Sequence, residues 1–315
     1  MESETIGLAW WVFEIVIFVF LIGVGIVVAE LMARAKGRWH WGRWAAIVIL
    51  CVSWLVIFYG SFVEPHILLD REVPIELNVD DASGVARVAV LSDIHVGPYK
   101  HERWTQRVVD RLNQLDPDVV LIAGDFVSGR TEEAEMLRPL KDVVAPVYAV
   151  IGNHDHQFAD PRAVEAVLEA LGVQVLRDET VSTTVSDATV NLVGIDDWWL
   201  EPNVKRAFDG MSTDAVTIAF THNPDVILGE DGAVFNADLL VAGHTHCGQI
   251  RLPFIGPVPP LPTELGRAWD CKLLTARSPT DDRTMPVWIT PGVGETGPRA
   301  RLFNPPTIDT LILTW

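Results

Sequence analysis

The run Trp44–Val63 carries no charged side chain over 20 residues. A stretch of that length and character matches the hydrocarbon thickness of a bilayer. In lipid every backbone N–H and C=O must be paired within the segment, so such a run has essentially one fold open to it, a spanning helix. A second apolar run, Ile6–Ala29, is interrupted only by Glu14. Two transmembrane helices are therefore expected, over about residues 6–30 and 44–63. Glu14 lies about two turns into its run, near enough to the boundary to act as an interfacial carboxylate. Between the runs stand Arg34, Lys36, Arg38, His40 and Arg43. A short basic loop of this kind is retained in the cytoplasm, which puts the N-terminus and everything after Val63 outside. Trp10 and Trp11, and Trp39, Trp41 and Trp44, fall where interfacial aromatic belts are expected. A cleaved signal peptide is the rival reading of the first run. It is disfavoured because no basic region precedes that run and a second span follows.

The chain has 315 residues and a formal net charge of −18. The first 63 residues hold four basic and four acidic side chains, so the remainder, with 20 basic and 38 acidic, carries the whole excess. That remainder is long enough to bury a substantial core. Its acidity argues against a nucleic-acid backbone as the natural partner, since that role needs a basic face. Cys51 sits in the apolar run, while Cys247 and Cys271 can pair in an oxidising compartment or stay free. Both states are open, as is a thiolate-ligand role for Cys247 set against that of a small neighbouring side chain.

Residues 64–84 read as an acidic linker with one strand, Ile75–Val79. Strands and helices then alternate. Arg87–Leu91, Val119–Ala123 and Pro146–Ile151 are strands, while His101–Leu115, Thr131–Val144 and Pro161–Leu171 are helices. More closely spaced strands follow: Val173–Leu176, Thr189–Ile195, Val216–Phe220, Ala237–Ala242, Gln249–Leu252, Pro286–Thr290 and Ile308–Leu313. The pattern is that of an α/β domain with mixed sheets. Pro253–Pro262 reads as a loop.

The strand ends are the informative part. They read Asp93-Ile-His95, Gly124-Asp125, Gly152-Asn153-His154-Asp155, Thr221-His222-Asn223 and Gly243-His244-Thr245-His246. In open α/β sheets the carboxyl ends of strands form the ligand crevice, so residues about 150 positions apart can converge there. Carboxylate, amide and imidazole donors suit Mn, Fe or Zn. In extended chain, Asp93 and His95 share one side, as do His244 and His246. Two ions about 3.5–4 Å apart can clamp a phosphate and activate water.

These five blocks, in this order over Asp93–His246, resemble the calcineurin-like metallophosphoesterase superfamily. The phrase Gly243-His-Thr-His-Cys-Gly-Gln-Ile-Arg-Leu-Pro and the tail Ile289–Pro306 are similar to its membrane-anchored prokaryotic branch. The resemblance covers residues 70–315 and implies a metallophosphoesterase-type αββα sandwich with mixed sheets, preceded by the two transmembrane α-helices. It divides the chain into a membrane anchor at 1–63, a linker at 64–84 and a phosphoesterase domain at 85–315. By the same resemblance, Asp93, His95 and His246 hold one divalent ion, Asn153, His222 and His244 hold the other, and Asp125 bridges them. A bridging water would attack phosphorus. His154 would contact the phosphate and protonate the leaving oxygen, with Asp155 orienting its ring. No ligand position departs from the pattern. His156 matches no block.

Around this site two features stay open. Trp198 and Trp199, after Asp196-Asp197, either greet an acyl chain, a ring or the membrane surface, or simply pack. Arg299 and Arg301 either bind a substrate phosphate through bidentate contacts or make salt bridges within an acidic protein. The expected function is a dinuclear-metal-dependent phosphodiesterase or phosphomonoesterase at the cell membrane, its domain extracytoplasmic, acting on a phosphorylated small molecule, phospholipid or glycolipid phosphate. The alternatives are a non-catalytic binding module of the same fold and a nuclease, the latter disfavoured by charge.

Overall fold

The computed structural model describes residues 2–34, 40–77, 79, 84–186, 188–212 and 214–315, with side chains from Trp10 onward. Lys36, Arg38 and Trp39 of the basic loop, and Asn78, Asp80 and Asp81 of the expected linker, lie outside the described residues. Helix α1 (Glu2–Ala33) contains the first apolar run and helix α2 (Trp41–Phe58) all but the end of the second. The segments Trp10–Ala33 and Trp41–His66 are long and apolar enough to cross a membrane. They lie against each other, with the Trp54 indole N–H donating to the Leu21 carbonyl at 3.0 Å. A π-helical turn, Tyr59–Val63, and a 3₁₀ turn, Glu64–His66, carry α2 into the rest of the chain.

The strands are β1 (Leu69–Glu76), β2 (Val85–Leu91), β3 (Val119–Ala123), β4 (Val147–Val150), β5 (Val173–Val175), β6 (Glu179–Val185) and β7 (Ala188–Ile195). They continue with β8 (Val216–Thr221), β9 (Leu239–Ala242), β10 (Arg251–Leu252), β11 (Gly256–Pro257), β12 (Leu273–Arg277), β13 (Thr284–Ile289) and β14 (Thr307–Thr314). One six-stranded sheet runs β1-β14-β2-β3-β4-β5 and the other β12-β13-β9-β8-β7-β6, with β10 and β11 a separate small hairpin. Both large sheets mix parallel and antiparallel pairs.

Side-chain alternation explains why the sheets stack. Along β2, Val88 and Val90 enter the layer between the sheets, where they meet Val190, Leu192, Phe220 and Val241 of the second sheet. Ala89 and Leu91 point the other way, onto Val108, Leu112 and Leu137. The second sheet does the same, turning Val193 and Ala219 outward onto Val226 and Phe235. Four layers result, the αββα sandwich.

The expected Thr131–Val144 helix is instead a 3₁₀ helix, Thr131–Asp142, with Pro139 inside it. Proline has no N–H to give and crowds the preceding turn, which the tighter winding tolerates. Its first turn is closed by Glu133, whose carboxylate accepts from the backbone N–H of Gly129 and Arg130 at 2.9 and 3.1 Å. The segment expected as a linker supplies β1, which pairs with β14 over Leu69–Glu76. Strands β6 and β12 were not anticipated, and the expected strand Gln249–Leu252 is reduced to β10.

The register of β1 has a geometric consequence. Leu69 pairs with Thr307, and β14 runs antiparallel to β2, so β1 begins at the level where β2 ends. The chain thus leaves α2 at the same end of the sheet as the loops that follow β2, β3 and β4. The topology alone brings the apolar helices and the strand-end motifs to one end of the molecule.

Candidate metal centre

The loops after β2, β3, β4, β8 and β9 converge, and their backbones are bent to do so. Asp93, His95, Asp125, His244 and His246 all adopt positive φ, between 46° and 67°. Non-glycine residues rarely occupy this region, and such strain persists where the surrounding structure over-determines it. Gly152 is needed for close approach: a Cβ there would overlap the Asp125 carboxylate.

The donor atoms meet at short range. His95 Nε2 and His246 Nε2 are 3.2 Å apart, with Asp93 Oδ1 at 3.2 Å from the latter and 3.8 Å from the former. Asp125 Oδ2 lies 3.4 Å from His95 Nε2 and 3.2 Å from His222 Nε2, between the two groups. On the far side His222 Nε2 is 3.0 Å from Asn153 Oδ1 and 3.1 Å from His244 Nδ1. The seven residues named from the sequence are thus in one cluster, as two sets of donors sharing Asp125.

Burial and charge set their protonation. Burial, reinforced by His154, pushes the His95 imidazole down to about 3. Burial and His222 do the same to His244, also to about 3, and burial with His95 takes His246 well below the ordinary histidine range. These three rings are neutral and present lone pairs. Burial works against ionising Asp125, but His222 and His154 beside it outweigh that and hold the carboxyl well below its usual range. Burial opposes protonation of His222 too, yet Asp125 raises it well above an ordinary histidine. A divalent cation displaces such a proton when it binds. Neutral imidazoles with an ionised central carboxylate are the state in which side chains of this kind can hold a metal ion.

Two further observations bear on the fit. Asp93 Oδ1 is buried without a hydrogen-bond donor although it faces the cluster. The carbonyl of Ala123 lies 2.8 Å from His222 Nδ1, which leaves Nε2 free for the centre. The residues present therefore fit two divalent ions, with donor types that suit Mn, Fe or Zn.

His154 stands at the start of the short helix Asn153–Gln157. Its backbone N–H donates to Asp125 Oδ1 at 2.8 Å. Its Nε2 reaches into the cavity, 3.4 Å from Thr296 Oγ1, and its Nδ1 lies 3.0 Å from the Ser128 carbonyl. Asp155 differs from expectation. It does not meet the His154 ring but accepts from the backbone N–H of Phe126, Val127 and Gly152 at 3.0 Å each. It ties the β3 and β4 loops together, a positioning role, while the Ser128 carbonyl meets the ring. The sequence offered a signal for this in the Gly152-x-x-Asp155 spacing of an N-terminal cap.

The arginines also part ways. Arg301 is fully buried and donates to the carbonyls of Pro291, Gly292, Gly294 and Asn304. Every direction of its guanidinium is spent on backbone, so it straps the 291–304 tail instead of meeting a phosphate. Arg299 pairs with Glu14 of α1 at 3.1 Å and lies over Phe62 and Tyr99. Glu14 and Arg299 thus join the first apolar helix to the tail. Trp198 packs against the second sheet's outer cluster, whereas Trp199 stands half-exposed, edge-on to His244 with ring centroids 4.8 Å apart. His156 lies 3.6 Å from Asp196.

A cavity of about 290 Å³ opens over the cluster. Asp125, Asn153, His154 and His244 form its floor, and Trp199, Ile250, Pro259 and Pro262 are among its walls. Its rim is largely apolar. Cys247 and Cys271 are joined in a disulfide, with Cα atoms 5.3 Å apart, which closes the loop bearing that rim. Cys271→Ser is expected to cost about 3 kcal/mol, from the entropy of a loop of this length. Thermal unfolding of the detergent-solubilised chain, with and without reductant, measures it; an unchanged midpoint in both would remove the disulfide as a stabilising element.

The chain is similar in sequence to known phosphoesterases. The model of the family "Calcineurin-like phosphoesterase" matches residues 86–248. A transmembrane protein with metallophosphoesterase domain from Danio rerio is 29% identical over 85% of this chain, which spans 62% of that relative. The metallophosphoesterase YkuE of Bacillus subtilis is 26% identical over 64% of this chain and 72% of its own. Among solved structures, an archaeal phosphodiesterase is 13% identical over 64% of this chain and 99% of its own, with a TM-score of 0.32. This chain spans less than two thirds of the zebrafish relative's length.

Proposed function

The chain belongs to the calcineurin-like phosphoesterase family of phosphoric ester hydrolases, and from that premise we propose that it is a dinuclear-metal-dependent phosphohydrolase held at the membrane by α1 and α2. The observation that carries this reading is the two donor sets meeting at Asp125, with three neutral imidazoles around an ionised carboxylate. Asp93, His95 and His246 would hold one ion, Asn153, His222 and His244 the other, and Asp125 both. When bound, the ions supply Lewis-acid activation of phosphoryl oxygen and of water. The chain's own residues do the rest. His154 Nε2, aimed into the cavity, gives a proton to the leaving oxygen. The Ser128 carbonyl fixes that ring, and Asp155 fixes the loops beneath it. Trp199, Ile250 and the prolines exclude water from one side of the substrate.

The substrate class favoured is a phosphate ester of a lipid or glycolipid. The supports are the apolar rim and the placement of the cavity at the end of the sheets where α2 arrives. Residues 1–63 serve as a two-span anchor, with the domain extracytoplasmic. The basic inter-helix loop supports that orientation, and so does the Cys247–Cys271 disulfide, since such bonds persist outside the reducing cytosol.

The test is hydrolysis of bis(p-nitrophenyl) phosphate by the full chain in detergent, stripped with chelator and reloaded with Mn, Zn or Fe. We expect turnover to vanish on stripping and return on reloading, with about two ions bound per chain. A folded sample that binds no ions and hydrolyses neither mono- nor diesters would sink the reading. A phosphatase reporter fused after Trp315 is expected to be active only outside the cytoplasm; cytoplasmic activity would reverse the orientation.

A further inference from the structure

We propose that the β10–β11 hairpin is a second membrane contact, its tip Phe254–Ile255 seated in the interfacial layer of the bilayer that α1 and α2 enter. The hairpin presents apolar side chains to solvent without a protein partner: Phe254 is 109% exposed, Ile255 64% and the neighbouring Phe303 59%. Phe254 is held at φ 66°, a conformation a bulky side chain avoids, and this aims the ring away from the domain. Apolar surface gathered in one place marks an interaction site.

The local sequence identifies the partner. From Leu252 to Thr263 there is no charged residue, within a region that otherwise carries 20 basic and 38 acidic side chains. Five prolines fall in the same stretch, so the loop has little conformational freedom to lose on docking. An uncharged, aromatic-tipped, rigid loop suits the headgroup–acyl boundary, where amphipathic segments rest.

The placement carries the inference furthest. Arg251 N–H donates to the Leu302 carbonyl at 2.9 Å and Leu302 N–H to Gln249 at 3.0 Å, so the tail strand is clamped to the base of the hairpin. One residue earlier, Arg301 N–H donates to the carbonyl of Gly60 at 2.8 Å, in the π-helical turn that ends the second apolar segment. Three backbone hydrogen bonds thus separate the hairpin from the place where α2 leaves the bilayer. The same hairpin supplies Ile250 and the following Pro259 and Pro262 to the cavity wall. Seating its tip in lipid would turn the cavity mouth toward the bilayer, the direction from which a lipid phosphate arrives. The inference rests on α1 and α2 being membrane spans; its first test does not depend on catalysis, and its second rests on the phosphohydrolase reading above.

The test uses the full chain with Cys51→Ser, reconstituted into phosphatidylcholine vesicles containing phosphatidylglycerol. A nitroxide is attached at Phe254→Cys, at Val48→Cys in α2, or at Val144→Cys. Val144 is exposed and precedes β4, so it lies at the opposite end of the sheet. Relaxation by oxygen is compared with relaxation by an aqueous nickel chelate. The labels at positions 254 and 48 are expected to favour oxygen, and that at 144 the chelate. A chelate-accessible label at 254 with an oxygen-accessible label at 48 overturns the hairpin contact while leaving the spans intact. A label at 254 shielded from both reagents points to a protein partner or a second copy, and also overturns it. Chelate access at position 48 removes the spans and the hairpin contact together.

A second readout separates docking from folding. The double variant Phe254→Ser, Ile255→Ser is expected to hydrolyse the soluble bis-aryl diester within about twofold of the parent. It is expected to lose about tenfold or more on a phospholipid phosphate presented in vesicles, since without that contact the cavity mouth is no longer held toward the bilayer. Equal activity of parent and variant on the vesicle substrate counts against the proposal.

Discussion

Replacing His154 with alanine is expected to lower kcat by about 10²–10⁴-fold, the usual contribution of a positioned proton donor, while leaving the metal content at two ions. The geometry separates these effects. The His154 ring stands beside His95, with ring centroids 4.6 Å apart and Nε2 3.4 Å from Thr296 Oγ1 across the cavity, whereas the six donors grouped around Asp125 meet one another without it. The loss should be largest for substrates with poor leaving groups, where protonation of the departing oxygen matters most, and smaller for aryl esters. Steady-state kinetics on an alkyl and an aryl phosphate, beside metal analysis by plasma mass spectrometry, measures both. A variant that retains kcat within about threefold on the alkyl ester would assign the proton to another group.

Replacing Asp125 should have the opposite signature. Asp125→Asn preserves the shape and an oxygen that can accept from the His154 N–H at 2.8 Å, so the fold is expected to survive. It removes the one charge shared by the two donor sets. Metal content is expected to fall below two ions per chain, and kcat/KM by about 10³-fold or more, because charge stabilisation by the ions is worth several kcal/mol. With the carboxylate gone, the proton that Asp125 raises on His222 should also be lost, which imidazole resonances of the metal-free chain would report. Full metal content with near-parental turnover would show that the two sets do not depend on a shared carboxylate.

The contrast between these variants reflects how the site is assembled. His154 stands on a short helix whose first residues are fixed by hydrogen bonds to neighbouring loops, so its ring can be removed without loosening the cluster. Asp125 follows a left-handed glycine, and its own φ is 57°. It is the point where the loop after β3 meets both the loop after β4 and His222 of the second sheet.

Much of this centre was legible in the chain because each donor lies at the end of an apolar β-branched run. Such runs are easy to recognise when both faces are buried: β3, β4, β8 and β9 show no exposed position. The edge strands lacked that signal. β1, β6 and β12 each alternate with half-exposed or exposed residues, as sheet edges do. A polar stretch such as Glu179–Val185 is indistinguishable from a loop until its neighbour β7 is in place. Arg301 was misleading for a related reason. A guanidinium in Gly297-Pro-Arg-Ala-Arg301 looks free to bind a phosphate, and only the folded tail reveals four carbonyls around it. Asp155 differs because the resemblance implied a contact with the His154 ring that the fold does not make. Consecutive residues of a helix face different ways, and its carboxylate turns back to cap the loop.

By itself the sequence determined the two apolar runs and the order of the strands that carry chemistry, and its resemblance to a known family implied the seven residues that the structure brings together. Those properties are local: run length, side-chain period and residue type at strand ends. Only the tertiary structure decided which end of the sheets faces α2, because that depends on β1 pairing in parallel with a strand more than two hundred residues away. It also decided that Glu14 meets Arg299, that Cys247 meets Cys271, and that an apolar hairpin stands beside the exit of the second helix. These are encounters between segments distant in sequence, set by register and packing, and of them only the cysteine pair was open in the sequence.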